Sequence, residues 1–581
     1  MKRQSKICAL IRWAVMAVLC AVSVLSIVGV APAEEWQKSI FQPVLAKNGM
    51  VSAQEAVATR IGVEVLRKGG NAIDAAVAVG FALAVTLPRA GNLGGGGFMI
   101  VHEAKTGQTH AIDYRETAPA GATRNMFLDE NGEYDRRKAV GTHFSAGVPG
   151  TVAGLAMALE RFGTMSLAEL IRPAQQLARE GIVVSPGLRE SLSPRRRDKL
   201  AKWPASRNVF FKRDGTLFDV GERWRQPDLA ATLELISEEG PSAFYTGEIA
   251  EKLARDMEKH GGLITRDDLA SYRPIMRDPV RGNYRGYEIV SMPPPSSGGV
   301  HLIQMLNVLE GFDIAGMGHN SAASIHVMTE AMKFAYADRS WYLGDPAFWK
   351  VPVAGLTSKS YAMSIRRRID LDKARTASQI GPGDPKSHEG RNTTHFSVMD
   401  KDGNVVSNTY TINLAYGSGI VAEGTGVLWN NEMDDFSAKP GVANSFGLIG
   451  GEANAIEPGK RPLSSMTPTI VFKDGRPFLA TGSPGGSRII TTVLQVVSNV
   501  IDHNMNIGDA TAVPRFHHQW RPDYLRLEPG FSADTRAILK KRGHVIKPSW
   551  PMGSTQSIMS IDGAFAGASD PRRRDALTLG Y

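Results

Sequence analysis

Thr393, in Arg391-Asn392-Thr393-Thr394-His395-Phe396-Ser397, is the residue of this chain whose chemistry would be most demanding. A threonine hydroxyl is a poor nucleophile at neutral pH and needs a base to take its proton. A free α-amino group on the same residue is such a base, with a pKa of about 7.7–8.0. Thr393 gains that amine only if the chain is cut at Asn392-Thr393. The plain alternative is a β-forming threonine at the start of a strand. Two other chemistry-like patterns are weaker. His517-His518 looks like a metal pair, but neighbouring strand residues point to opposite faces and no further ligand spacing accompanies them. The run Gly94-Gly95-Gly96-Gly97 lacks G-x-G-x-x-G spacing and no G-K-[ST] follows, so a nucleotide site is not indicated.

The elements around Thr393 change character along the chain. Ser52 with Glu55 three residues later predicts a capping-box start, and Val57, Ile61 and Val65 mark one helix face up to Gly69-Gly70. Asn71 opens an alanine-rich helix reaching Leu87 and stopping at Pro88; being apolar nearly all round, it should be buried. A short strand, Met99 to His102, follows the glycine run. Residues 150–380 carry mostly helical patterns. The stretch from Leu371 to Arg391 turns polar and loop-like. After it, Thr393 to Met399 and Val405 to Ile412 alternate around Asp402-Gly403-Asn404, predicting a hairpin. A second hairpin joins Pro468–Phe472 to Phe478–Thr481 through Asp474-Gly475, and Arg488 to Ile501 reads as a helix. Helices first and sheet later suit a layered α/β fold.

The N-terminus predicts export. Lys2, Arg3, Lys6 and Arg12 precede an uncharged apolar run from Trp13 to Val30, and Ala31-Pro32-Ala33 is a small-x-small cleavage site. The rival is an uncleaved anchor, since 18 apolar residues of that run can just span a bilayer. Both cysteines, Cys8 and Cys20, lie in this leader. The mature chain therefore offers no disulfide, thiolate metal site or cysteine nucleophile. Without the four leader cations the formal charge falls from +9 to +5, too mild to argue for nucleic acid. The triplets at Arg195–Arg197, Arg366–Arg368 and Arg572–Arg574 read as solvated faces.

Several segments, in order, resemble the γ-glutamyltransferase (γ-glutamyl transpeptidase, glutathione hydrolase) family of bacterial type. They are Gly94-Gly95-Gly96-Gly97-Phe98, Asp113-Tyr114-Arg115-Glu116-Thr117-Ala118-Pro119, Thr393-Thr394-His395-Phe396-Ser397-Val398, Asn430 to Phe436, Arg461 to Met466, and Gly482-Ser483-Pro484-Gly485-Gly486-Ser487. The resemblance runs from about residue 40 to Tyr581. It implies an α/β, four-layer αββα sandwich of the N-terminal-nucleophile hydrolase type. The expected organisation is a signal peptide (1–33), a helix-rich large subunit (34–392) and a strand-rich small subunit (393–581) carrying the nucleophile, intertwined in one domain. The two subunits form a heterodimer from one precursor, in the periplasm or secreted.

The resemblance also assigns roles. The precursor cuts itself at Asn392-Thr393, and Thr393 then takes the γ-glutamyl group from glutathione or a related donor. It passes the group to water or to an amino acid or dipeptide, without cofactor or metal. Thr411 matches the threonine that hydrogen-bonds to the nucleophile. A guanidinium suits the donor's α-carboxylate, so Arg115 is expected there with the hydroxyls of Ser464 and Ser465. Asp435, Glu432 and Asn413 are expected around the α-ammonium, and the N–H groups of Gly485 and Gly486 at an oxyanion. Glu432 stands where some relatives have glutamine. Phe446 stands where a tyrosine is common in the loop that lids the pocket, and it cannot make that tyrosine's hydrogen bond to the asparagine matching Asn413. The lid is therefore expected to open more readily. Two alternatives remain: a β-lactam side-chain (glutaryl or cephalosporin) acylase on the same fold, and a secreted, non-catalytic binding protein.

Overall fold

The structure, a computed structural model, describes residues 39–385 and 397–581; the leader, Asn392 and Thr393 lie outside the described residues. Residues 39–42 end a first unit and form a local turn in which the Ser39 hydroxyl donates to the Phe41 carbonyl (3.2 Å). The rest of the description concerns Pro43–Tyr581.

The chain enters through β1 (Val44–Ala46) and β2 (Gly49–Ala53), then two helices, α1 (Ala56–Arg67) and α2 (Ala72–Thr86). Next come a hairpin, β3 (Gly96–Glu103) and β4 (Gln108–Tyr114), and helix α3 (Thr151–Phe162). Three short strands follow: β5 (Ile275–Arg277), β6 (Val280–Tyr284) and β7 (Tyr287–Ser291). Two helices, α4 (Gly298–Leu309) and α5 (Ala322–Tyr342), precede the hairpin β8 (Ser397–Asp400) and β9 (Val405–Thr411). A second hairpin, β10 (Thr469–Lys473) and β11 (Arg476–Thr481), leads to α6 (Arg488–Ile501) and α7 (Ile507–Ala512). The chain closes with β12 (Gln556–Ile561), β13 (Ala564–Ser569) and β14 (Leu577–Gly580).

Two antiparallel seven-stranded sheets result, in the orders β14-β2-β8-β9-β3-β4-β5 and β1-β13-β12-β11-β10-β7-β6. They face each other through β2, β8 and β9 on one side and β11, β12 and β13 on the other. Helices α1, α2 and α3 cover the first sheet; α4 and α7 cover the second, with α6 packed on both. This is an αββα sandwich. Every residue of α2 is buried, as its unbroken apolar pattern requires. Its entry is the expected one: Asn71 caps the helix and Asp74 completes a capping box.

Local corrections follow from tertiary contacts. Ser52 is not a cap but a strand residue, its hydroxyl 2.8 Å from that of Thr578 in the neighbouring strand. Glu55 itself caps α1, its carboxylate accepting from the Ala58 N–H (2.9 Å). Strands β5, β6 and β7 interrupt the stretch that reads as mostly helical, because each edge needs a partner that only the folded sheet supplies. As a result, seven of the sandwich strands precede residue 385 and seven begin at or after Ser397. No helix among the described residues is long and apolar enough to cross a membrane.

Candidate active site

Antiparallel pairing brings the distant motifs to one rim. Thr411, the last residue of β9, lies opposite Gly96 in β3, and Gly97 lies opposite Tyr114 at the end of β4. Arg115 and Thr411 therefore leave the first sheet at the same edge. The glycine run makes the approach possible: a Cβ on Gly95 would sit 2.0 Å from the Thr411 carbonyl oxygen. On the second sheet, β11 runs into Gly485 and Gly486 just before α6.

A cavity of about 240 Å³ forms at this rim. Its lining contains all ten described residues that the sequence put forward: Arg115, Thr411, Asn413, Glu432, Asp435, Phe446, Ser464, Ser465, Gly485 and Gly486. Its centre of charge is Arg115, which is fully buried. One guanidinium end contacts Glu432 and the other donates to Asp435 Oδ2 (2.7 Å). Its Nε donates to the Pro462 carbonyl (3.2 Å), and Glu116 lies 3.7 Å away. Burial alone would lower the Arg115 pKa, but Glu432, Glu116 and Asp435 together hold it above the ordinary value.

The carboxylates around it are incompletely satisfied. Glu116 is buried with no hydrogen-bond partner on either oxygen, and burial pushes its pKa up to about 7 against the pull of Arg115. Burial likewise raises Glu432, whose Oε2 has no partner. Asn413 takes a left-handed conformation (φ 68°), its amide donating to the Asn431 carbonyl (2.8 Å) while its buried Oδ1 is left without a donor. Thr411 Oγ1 accepts from the Asn413 N–H (2.8 Å). Such leftover acceptor capacity beside a cavity suits a bound ammonium.

Hydroxyls and glycines complete the wall. Ser465 accepts from the Arg339 guanidinium (3.1 Å), and the Ser464 hydroxyl accepts from the Met466 N–H (3.2 Å). Gly485 and Gly486 have φ of 143° and 60°, values that favour glycine, and no acceptor among the described residues takes either N–H. The Phe446 ring covers Gly486: a Cβ there would come within 2.3 Å of it. The Phe446 loop is tethered elsewhere, by Asn444 donating to Asp435 Oδ1 (3.2 Å) and Gln519 donating to the Gly447 carbonyl (2.9 Å).

Sequence reasoning missed part of the lining. Arg339, on α5, is buried, hydrogen-bonds to Ser297 Oγ (2.8 Å) and Ser465 Oγ, and faces the cavity; burial lowers its pKa to about 10. Nothing local distinguishes it from any other helix arginine. Two arginine triplets are also not plain solvated faces. Arg196 and Arg573 line the cavity, and Arg572 is packed into ion pairs with Glu528 and Asp570, because the C-terminal strands fold back beside the site. His517 and His518 are buried against protein partners, Thr491 and Gln519 for the first and Trp520 and Asp523 for the second.

Two facing antiparallel sheets between helical layers are the arrangement of an N-terminal-nucleophile hydrolase fold. The sequence profile of the gamma-glutamyltranspeptidase family matches residues 58–579. The glutathione hydrolase proenzyme of Escherichia coli K12 is 55% identical over 546 residues, covering 94% of each chain. The crystal structure of cephalosporin acylase from Bacillus halodurans superposes with a TM-score of 0.83 at 30% identity, covering 94% of this chain and 97% of that one. That of Helicobacter pylori gamma-glutamyltranspeptidase superposes at 0.58 with 48% identity, covering 60% of this chain and 99% of that one. The chain belongs to the gamma-glutamyltranspeptidase family, and it is an enzyme.

Proposed function

We propose that this chain is a precursor that cuts itself between Asn392 and Thr393, and that the product transfers γ-glutamyl groups to water or to amino acid and dipeptide acceptors. The observation that carries the donor assignment is the charge pattern around Arg115. A γ-glutamyl donor ends in a free amino acid, so its pocket needs a cation for the carboxylate and anions for the ammonium. Arg115 with Ser464 and Ser465 suits the first, and Asp435, Glu432 and the open Oδ1 of Asn413 suit the second.

The chemistry then follows from residue types. In the precursor the Thr393 hydroxyl attacks the Asn392 carbonyl carbon, the amide is exchanged for an ester, and water hydrolyses the ester. The two products are the large subunit, ending at Asn392, and the small subunit, beginning at Thr393. The freed α-amine takes the Thr393 hydroxyl proton as the oxygen attacks the γ-carbonyl. Gly485 and Gly486 donate N–H groups to the developing oxyanion, and Thr411 positions the nucleophile. Lacking the tyrosine hydroxyl, Phe446 gives a lid that opens more readily. The leader directs the protein to the periplasm or the exterior.

A denaturing gel with intact mass on wild type and Thr393→Ala tests the processing step. Wild type should give two fragments meeting at Asn392/Thr393, and the variant one uncut chain; an uncut wild type would sink the mechanism. The acylase reading, favoured by the Bacillus halodurans likeness, differs in the donor's α-amine. Comparing γ-glutamyl-4-nitroanilide with glutaryl-4-nitroanilide separates the two. The charged wall predicts at least a roughly thirtyfold preference for the γ-glutamyl compound, from an ammonium contact of about 2–5 kcal/mol.

A further inference from the structure

The cavity carries two different charge environments. Five arginines and two carboxylates line it. Arg115 and Arg339 stand with Glu432 and Asp435, a nearly balanced set. Arg89, Arg196 and Arg573 line the same cavity with no carboxylate in salt-bridge range among the described residues. Arg573 is the charge acting most strongly on Arg89, followed by Tyr416, Asp575 and Arg196, and none of these belongs to the Arg115 cluster.

The acids near this group are already engaged. Asp575 accepts from the Ser185 hydroxyl (2.8 Å), Glu190 pairs with Arg574 (3.7 Å), and Asp570 is held by Arg515 (2.7 Å) and Arg572 (3.2 Å). Of the three guanidiniums, that of Arg196 is held by a neutral group, donating to the Ser191 carbonyl (2.8 Å). Arg89 and Arg196 are half-buried and Arg573 is exposed, so the group faces solvent at one end of the cavity. Mutual repulsion is visible in the Arg89 guanidinium, whose pKa burial and Arg573 lower to about 10. Acids lie near the three guanidiniums but none among the described residues is paired directly with them, so they remain able to bind an arriving anion.

We propose that Arg89, Arg196 and Arg573 form a carboxylate subsite for the part of the reaction partners beyond the γ-glutamyl group. The ligand is a carboxylate on the donor's leaving group or on the acceptor, such as the C-terminus of a dipeptide. This rests on the γ-glutamyl reading above and deepens it. A zwitterion is bound at the balanced end and an anion at the positive end, so peptide-like γ-glutamyl donors and free amino acids or dipeptides fit better than amides.

The test compares pairs differing by one carboxylate, in wild type, Arg89→Gln and Arg573→Gln. The donors are γ-glutamyl-3-carboxy-4-nitroanilide and γ-glutamyl-4-nitroanilide; the acceptors are glycylglycine and glycylglycinamide. Wild type at low salt should favour the carboxylated member of at least one pair about tenfold, an advantage that shrinks in either variant and at high salt. Discrimination between donors assigns the subsite to the leaving group; discrimination between acceptors alone assigns it to the acceptor. Equal losses on both members of both pairs overturn the proposal. A wild type that releases nitroaniline from neither donor refutes the functional reading instead. Titration calorimetry with the two acceptors then decides the subsite, tighter glycylglycine binding supporting it and equal affinities overturning it.

Discussion

Among the buried ion clusters of the described residues, those around Arg115 and Asp570 are built in opposite ways. Around Arg115, one guanidinium meets three carboxylates, and Glu116 and Glu432 keep oxygens without donors. Around Asp570, two arginines meet two acids and nearly every polar atom is used. Arg515 bonds to Asp570 (2.7 Å), the Met552 and Thr511 carbonyls (each 2.7 Å) and Thr555 (3.1 Å); Arg572 bonds to Glu528 (2.5 Å) and Asp570 (3.2 Å). Burial raises Glu116 and Glu432 in the first cluster, whereas in the second Arg515 and Arg572 overcome burial and hold Asp570 below the usual carboxylate range. Saturation marks a structural cluster, and spare acceptor capacity beside a cavity marks a binding one.

The largest expected effect lies in the saturated cluster. Asp570→Asn leaves two buried arginines short of an anion and should cost about 3–5 kcal/mol of stability, read as a fall in the denaturant midpoint. Arg115→Gln should instead show mainly in catalysis, lowering kcat/KM for a γ-glutamyl donor by the equivalent of about 2–5 kcal/mol. If Arg115→Gln loses stability but keeps kcat/KM, the contrast between the clusters collapses. Gly486→Ala forces a side chain into the Phe446 ring at a left-handed φ, and kcat should fall about tenfold or more while the fold survives.

Smaller effects concern pH. Glu116 binds its proton more tightly folded than unfolded, its pKa rising from 4.5 to about 7. Its contribution is present at low pH and is lost as pH rises between those values. Glu116→Gln should therefore flatten the decline of stability between about pH 5 and 8. Asp570 has the opposite sign: its contribution holds above its unfolded pKa of 3.8 and is lost as pH falls, so Asp570→Asn should flatten the acid limb. Melting curves across pH check both. The smallest effect is at the lid, where Phe446→Tyr should change the hydrolysis-to-transfer ratio by about twofold by adding one hydrogen bond.

How far each feature was legible depended on how local its cause is. The Asn71 cap, the buried α2 pattern, the Asp474-Gly475 turn and α6 all follow from residues within a few positions of one another. Ser52 misled because strand pairing with Thr578, more than 500 residues away, competes with a helix cap. Arg339 carries no local mark at all, and Glu116, though inside the Asp113–Pro119 motif, has no role that the motif discloses. Their roles arise from what buries them, and an arginine beside a serine on another element is invisible along the chain.

The sequence by itself determined which groups exist and in what order: Thr393 with its own prospective base, and motifs whose residue types suit an amino-acid ligand. Those are properties of covalent chemistry and short-range backbone preference. Only the tertiary structure decided which charges are left unspent. Arg572 and Arg573 are neighbours in sequence, yet one is locked between Asp570 and Glu528 while the other lines the cavity. The reason is dielectric and geometric: a charge becomes structural or available according to the partners that burial places around it.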